Sequence, residues 1–169
     1  MTTEGVSAIF RALNAAGVRF LVVGGLAVVA HGYVRFTADV DLVLDLAAEN
    51  ARRAIEALAS LGYRPRAPVP IEQFLDPDLR ASWAREKSML VFSLQSDRFA
   101  ATEVDLFLEP PFNMQQASAR SVRLEVAAGV EAPFIGLDDL IAMKQKAGRP
   151  SDLDDIRRLV ECRESRDNG

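Results

Sequence analysis

The chain has one cysteine and one histidine in 169 residues. A lone Cys162 excludes an internal disulfide and any thiolate zinc site. Its place in an apolar-periodic C-terminal segment reads as a small core-facing residue. A lone His31, with no Cys or His beside it, is not a zinc ligand set, and its position before Gly32 reads as a helix end. Excess positive charge is also missing: 20 Lys and Arg face 24 Asp and Glu, a net charge of −4. That argues against nucleic-acid binding by bulk electrostatics, though not against a local basic patch. Long apolar runs are absent. The longest, over residues 20–30, is too short to span a bilayer and holds two glycines. No basic stretch followed by an apolar one opens the chain. No signal peptide and no membrane span are therefore expected, and the chain reads as soluble and cytoplasmic.

What is present has ordinary globular proportions, 49% apolar and 26% charged, in a length that suits one domain with a proper core. Val6, Ile9, Phe10 and Leu13 recur at helical spacing, with Gly17 as C-cap. Residues 20–23 read as a buried strand, 26–31 as a short helix ending at Gly32, and 40–44 as a second strand. Ala51, Ile55, Leu58 and Leu61 mark a helix over 49–61 that Gly62 stops. Three prolines make 64–70 a loop or an edge. A short helix is expected over 77–85, strands over 88–94, 103–108, 122–126 and 132–135, and a break at Pro110-Pro111. Leu137, Leu140, Ile141 and Lys144 share one face of a helix over 138–147, ended by Gly148-Arg149-Pro150. Ser151 is expected to cap a last helix with Leu153, Ile156, Leu159 and Val160 inward, and the charged tail from Glu164 to fray. This order predicts an α/β (α+β) fold, a mixed central sheet flanked by helices with a C-terminal helical element.

The segment from Phe20 to Asp45 carries the chemistry. An apolar strand ends in Gly24-Gly25. A short helix and an Arg35-x-Thr37 turn follow, and the next strand opens with Asp39-Val40-Asp41. Alternation along a strand points Asp39 and Asp41 the same way, with Val40 buried behind them. Two carboxylates about 4 Å apart repel by roughly 4 kcal/mol at an effective dielectric near 20. Folding avoids that unless something positive lies between them, and hard oxygen donors in a partly open site suit Mg²⁺. Gly24 and Gly25, without Cβ atoms, let a phosphate approach the backbone closely. Apolar runs on both sides of the motif make these buried strands rather than a solvated strand end.

This pattern resembles the nucleotidyltransferase superfamily that includes DNA polymerase beta, whose signature is a strand, Gly-Gly or Gly-Ser, a short helix, then Asp-x-Asp. Gly25 stands where many members have Ser, which removes a hydroxyl contact to phosphate and keeps the backbone N–H groups. A second run, Leu137-x-x-Leu-Ile-x-x-Lys144-x-x-Ala-Gly-Arg149-Pro-x-Asp152-Leu-x-Asp155, resembles the C-terminal element of small bacterial nucleotidyltransferases of the abortive-infection (AbiEii-like) toxin group. The likeness runs from about Val6 to Leu159, with the middle poorly matched. It implies a nucleotidyltransferase fold, with residues 1–115 as the core and 116–169 as C-terminal strands and helices packed on it in one compact domain.

The resemblance also implies a third carboxylate on a later strand. Asp105, within apolar surroundings in Glu103-Val-Asp105-Leu-Phe-Leu, is the match, with Glu103 as backup. Asp39, Asp41 and Asp105 would then be the catalytic and metal-holding acids for Mg²⁺ or Mn²⁺, and an NTP the nucleotide donor. Asp105 would also take the acceptor's proton. Gly24, Gly25, Arg35, Thr37, Lys144, Arg149 and Asp152 would hold nucleotide and phosphate: Lys144 by contact, Asp152 by orienting Arg149 or the lysine. Lys146 faces elsewhere. Plainer roles exist for these residues. Arg35 would pair with a nearby acid, Thr37 would cap the turn, and the three cations near the helix end would complement its dipole.

The function implied is transfer of a nucleoside monophosphate to a hydroxyl on a tRNA end, a protein or a small molecule. A place in a toxin-antitoxin system, with a cognate toxin or antitoxin partner, follows from the same likeness. A tRNA acceptor predicts a basic surface beside the site, and Arg64, Arg66, Arg80, Arg85 and Lys87 are the candidates. An antibiotic-modifying enzyme predicts an acidic pocket instead. A non-catalytic nucleotide- or partner-binding module is the alternative of a different class. Phe74 and Trp83 read as core or lid packing rather than base-stacking groups.

Overall fold

The computed structural model describes residues 1–167. The chain runs α1 (Thr3–Ala15), β1 (Phe20–Val23), α2 (Gly24–Ala30), β2 (Asp39–Leu44), α3 (Ala48–Ser60), β3 (Tyr63–Pro65), a 3-10 turn (Ile71–Leu75), α4 (Pro77–Glu86), β4 (Val91–Ser96), β5 (Glu103–Phe107), α5 (Met114–Ala119), β6 (Val122–Ala127), β7 (Val130–Phe134), α6 (Leu137–Ala147) and α7 (Pro150–Asp167). The strands form one mixed sheet in the order β3-β4-β5-β2-β1-β7-β6. β1 is parallel to β7 and β2 to β5; the other pairs are antiparallel. Helices flank this sheet, so the architecture is α/β. Among the described residues, no helix is long and apolar enough to cross a membrane.

Burial follows position in the sheet. β1 is central, and all four of its residues are buried. α1 turns Val6, Ile9, Phe10 and Leu13 inward, and Phe10 stacks on Phe20 with ring centroids 5.9 Å apart. Gly17, at φ +62°, closes that helix: its N–H bonds Asn14 O, and Val18 N–H bonds Leu13 O. β4 and β5 alternate instead. Phe92, Leu94, Val104 and Leu106 are buried, while Ser93, Gln95, Glu103 and Asp105 are partly exposed. The buried set lies under the 3-10 turn and α4, where Phe74 and Trp83 pack on Phe92 at centroid distances of 5.6 and 5.3 Å. The opposite face of these strands stays partly open.

Several boundaries differ from the sequence expectation. The strand expected over 88–94 is Val91–Ser96, because Ser88 has φ +52° and Met89 N–H still bonds Trp83 O at the end of α4. Pairing begins only where Val91 meets Phe107. α5 was not expected. It is a polar segment that buries only Ala117, and it is started by Asn113, whose side chain accepts from Gln116 N–H at 3.0 Å. The 64–70 segment contributes an edge strand, one residue earlier than expected.

α7 differs most. Ser151 is not its cap. Arg149 O accepts from Asp152 and Leu153 N–H, and Pro150 takes the first helical position, where its missing N–H costs nothing. The Asp152 carboxylate reaches back to Arg149 N–H at 3.3 Å, in the manner of a capping box. Leu153, expected inward, is 57% exposed. The inward positions are Asp152, Asp155 and Leu159. The helix runs on through Asp167 rather than fraying from Glu164, and Arg166 Nη2 donates to His31 O at 2.7 Å. The last two residues of the expected frayed tail lie outside the described residues. Cys162 is half-buried rather than core-facing.

Candidate functional site

Strand register builds the site. β2 and β5 run parallel, with Asp39 opposite Glu103 and Asp41 opposite Asp105. Residues opposite one another share a sheet face. Four carboxylates therefore stand on the open face, with Val40 and Val104 buried behind them. On the far side of β2, Asp41 pairs with Val23, the residue before the glycine turn. Glu103 is taken by Arg66, at 2.9 Å, which leaves Asp105 as the acid beside Asp41. Asp105 accepts a hydrogen bond from Ser93 on β4.

The electrostatics of this row are unfavourable as it stands. Burial, then the charges of Asp105 and Asp39, push the Asp41 carboxyl up to about 7, although the Gly25 N–H and Lys144 pull it down. Asp105 is raised as well, by burial first and by Asp39 and Glu103 after, against the Ser93 hydrogen bond. Crowded like charges with raised proton affinity are what active sites collect more often than other surfaces do.

The two glycines have a reason the sequence did not show. A Cβ at Gly24 would overlap the Asp41 carboxylate, and one at Gly25 would lie 2.5 Å from Thr37 Oγ1. Gly24 also sits at φ +65°, which L side chains rarely adopt. The turn is bare because the acid and the threonine pack onto it. Thr37 Oγ1 in turn lies 3.4 Å from Asp39 O, so it stabilises its own turn.

Behind the glycine turn lies a buried ion network. Lys144 is 6% exposed and donates to Asp152 at 3.2 Å and to Asp155 at 2.7 Å. Arg35 Nε lies 3.0 Å from the other oxygen of Asp155, close enough for an ion pair but not aligned as a hydrogen bond. Arg149 Nε donates to Asp152 at 2.7 Å, while most of the Arg149 side chain is exposed. Burial alone would raise Asp152, but hydrogen bonds from Arg149 and Lys144 outweigh it and hold its carboxyl below the usual range. The structure thus gathers Gly24, Gly25, Arg35, Thr37, Asp41, Lys144, Arg149 and Asp152 on one side of the carboxylate row. Lys144 is engaged by carboxylates there, not displayed as a free cation.

Asp155 stands in the run quoted from the sequence, where it was given no role; the structure makes it the bridge between Lys144 and Arg35. Its signal was readable: Asp152, Asp155 and Leu159 share one helix face, so a carboxylate stood on the inward stripe.

On the other side of the row is an open cleft of about 490 Å³. Asp39, Ser93, Glu103, Asp105 and Arg66 form its polar wall, and Phe36 stands at it. A larger depression of about 640 Å³ between the end of α1 and the β6–β7 hairpin touches none of the carboxylates.

The expected basic surface does not form from three of its five members. Arg80 is buried, donates to Phe74 O at 2.5 Å and lies over the Phe74 ring. Arg64 pairs with Asp97 at 2.8 Å and Arg66 with Glu103. Sequence proximity grouped them, but a helix, a strand and a loop end point them differently. His31 caps α2, and its Nε2 donates to Ile135 O at 2.7 Å, a structural role. Phe74 and Trp83 are core residues.

Among the described residues, no group of three or more His, Cys, Asp or Glu is gathered as a metal site. The donor chemistry nonetheless suits a hard cation. The nearby donors are carboxylate oxygens and the Ser93 hydroxyl, and Asp41 and Asp105 are raised by burial first and then by neighbouring negative charge that a cation would relieve. No protein-family model matches this chain, and no curated protein is similar to it.

Proposed function

We propose that this protein is a nucleotidyltransferase with the fold of the polymerase-beta-like superfamily, moving a nucleoside monophosphate from an NTP to a hydroxyl. One observation supports this above the others. Asp41 and Asp105 are register partners on adjacent parallel strands, with Asp39 on the same open face and a glycine turn against Asp41. Asp39, Asp41 and Asp105 would hold Mg²⁺ or Mn²⁺, whose charge would neutralise the triphosphate and lower the pKa of the acceptor hydroxyl. Asp105 takes the acceptor's proton, for which a raised proton affinity suits it. Arg149, largely exposed beside Asp152, is placed to fork onto a phosphate. Arg35 and Lys144 act through Asp155, keeping the loop before Asp39 in one position for in-line attack.

The test is transfer of label from each α-³²P-labelled NTP with Mg²⁺, beside an Asp39→Ala, Asp41→Ala double variant. Transfer only by the intact protein is expected. Equal label in both proteins would remove these acids from the chemistry.

A non-catalytic module that binds a nucleotide or a cognate toxin or antitoxin partner is the second reading. Its support is that Lys144 is already paired twice, so phosphate would have to displace a carboxylate. Nucleotide binding without turnover, and unaffected by the double variant, would favour it.

A further inference from the structure

The two ends of the sheet are built differently. β3 closes one end with three residues, Tyr63, Arg64 and Pro65. A short, charged strand with a proline is a poor template for further pairing. β6 closes the other end with six residues, Val-Arg-Leu-Glu-Val-Ala, and holds no proline. Among the described residues, no strand pairs with its outer side. β1 and β7 separate this edge from β2, so what binds there is independent of the transferase reading.

Pro133 fixes which backbone groups of β6 point outward. It lies opposite Arg123 and has no N–H to give. Two residues on, Ile135 donates its N–H to Val22 O on β1. Hydrogen-bonded and non-hydrogen-bonded pairs alternate along an antiparallel ladder. Glu131, Pro133 and Ile135 therefore turn their backbone groups toward β1, and Ala132 and Phe134 turn theirs toward β6. Val122 and Leu124 stand opposite Phe134 and Ala132 and answer them. Arg123 and Glu125 then carry their N–H and C=O on the outer edge.

The side chains sort in the same way. Val122 and Leu124 share the α1 face of the sheet with buried Phe134 and Ala132, yet Val122 is 38% exposed and Leu124 is only partly buried. Arg123 and Glu125 lie on the opposite face. There Glu125 stands directly across from Glu131, an unfavourable placement for two acids. Arg123 pairs with Glu131 at 3.4 Å, with both side chains more than half exposed, a weak contact. Glu125 has the Gly129 N–H as its donor, at 2.8 Å.

We propose that β6 pairs with β6 of a second copy of this chain, antiparallel about a two-fold axis at Leu124. Charge selects that register. An axis at Arg123 would set arginine against arginine, and an axis at Glu125 would set glutamate against glutamate. The axis at Leu124 sets Arg123 opposite the partner's Glu125, once on each side. These are the residues whose backbone groups point outward, so each such pair exchanges both N–H···O bonds. The two copies of Leu124 meet at a non-hydrogen-bonded position, where side chains come closest. The contact is self-complementary and closes on itself. It is short, because the register shifts after Glu125, and a small interface makes a weak, reversible dimer.

Sedimentation velocity on the full chain, from about 10 µM to about 1 mM, tests this contact. The parent is expected to pass from monomer to dimer across that range. Arg123→Glu alone and Glu125→Arg alone should each weaken association about tenfold or more, because each sets like charges opposite on both sides of the axis. Both positions are exposed, so each variant should melt close to the parent. An equimolar mixture of the two variants should dimerise again, and so should the chain that carries both changes, since every facing pair is then unlike. Register is read by cross-linking. With Cys162→Ser, Leu124→Cys should form an intermolecular disulfide under mild oxidation faster than Arg123→Cys or Glu125→Cys does. A parent that stays monomeric throughout would overturn the proposal. So would single variants that dimerise as the parent does, or a mixture that gains nothing over its components. Faster cross-linking at 123 or 125 would overturn the register and the charge pairing with it.

Discussion

The two sides of the carboxylate row have opposite designs. On the α7 side, the charged groups meet partners: buried Lys144 has Asp152 and Asp155, and half-buried Arg35 has Asp155. On the cleft side, the raised Asp105 carboxyl is partly open to solvent, and an exposed phenylalanine stands at the same cleft. A paired buried network holds position well, because removing one member strands the other. An open row of acids is poor at holding position and well suited to taking up a ligand. The difference teaches that the cations nearest the site serve the loop first, and that the unmet demand is for positive charge at Asp41 and Asp105.

The largest effect should come from breaking the paired side. Asp155→Ala leaves Lys144 buried with one carboxylate partner and Arg35 with no carboxylate, and should cost about 3–5 kcal/mol in urea unfolding. A loss below about 0.5 kcal/mol would mean that α7 docks by apolar contacts alone. Asp155→Asn, which keeps a hydrogen-bond acceptor, should recover part of the loss.

Next is Gly24→Ala. The new methyl needs a disfavoured φ and overlaps Asp41, so stability should fall by at least about 1 kcal/mol. If Gly24→Ala is silent, Asp41 is free to swing away from the turn, and the crowding described here is not a constraint.

The carboxylate row itself should respond to pH. The Asp41 carboxyl is raised from 3.8 to about 7 in the folded state. The folded protein therefore holds its proton more tightly than the unfolded chain does. That contribution is complete below the unfolded value and is lost as pH rises through the folded one. Metal-free protein should thus lose melting temperature from about pH 4 to beyond about pH 7. Asp41→Asn should flatten this part of the profile, and Mg²⁺ should raise the melting temperature by several degrees above neutral pH and not in acid. A rise on alkalisation, or an equal Mg²⁺ effect in the asparagine variant, would contradict the assignment.

Smallest are the exposed apolar groups. Phe36→Ser and Leu153→Ser should each stay within about 0.5 kcal/mol of the parent in stability. A larger loss at Phe36 would mean that its ring is packed, not displayed.

Local pattern exposed the secondary elements around the motif, because the apolar run of β1, the Asp-x-Asp alternation of β2 and the helical spacing in α1 and α3 are short-range signals. It failed at α5, whose Gln-Gln-Ala-Ser-Ala run has almost no buried side to reveal a period. It failed again at the inward face of α7, where apolar spacing pointed to Leu153 and the buried groups are two aspartates. Helical spacing put Asp152, Asp155 and Leu159 on one face, but what those acids meet there follows only from the fold, because the lysine belongs to the preceding helix.

The amino-acid sequence by itself determined that Asp39 and Asp41 share a strand face, that Gly24-Gly25 ends the strand before them, and that Lys144 stands in a helix ended by glycine. Each follows from the period of an element or from the freedom of one residue. Tertiary structure decided the rest. It set Asp105 beside Asp41 through parallel register, turned Asp155 into the bridge between Arg35 and Lys144, and scattered the arginines of residues 64–80 into pairs and core. The physical reason is distance along the chain. Contacts between residues dozens of positions apart depend on which strands lie side by side and which helix faces meet, and no local period carries that information.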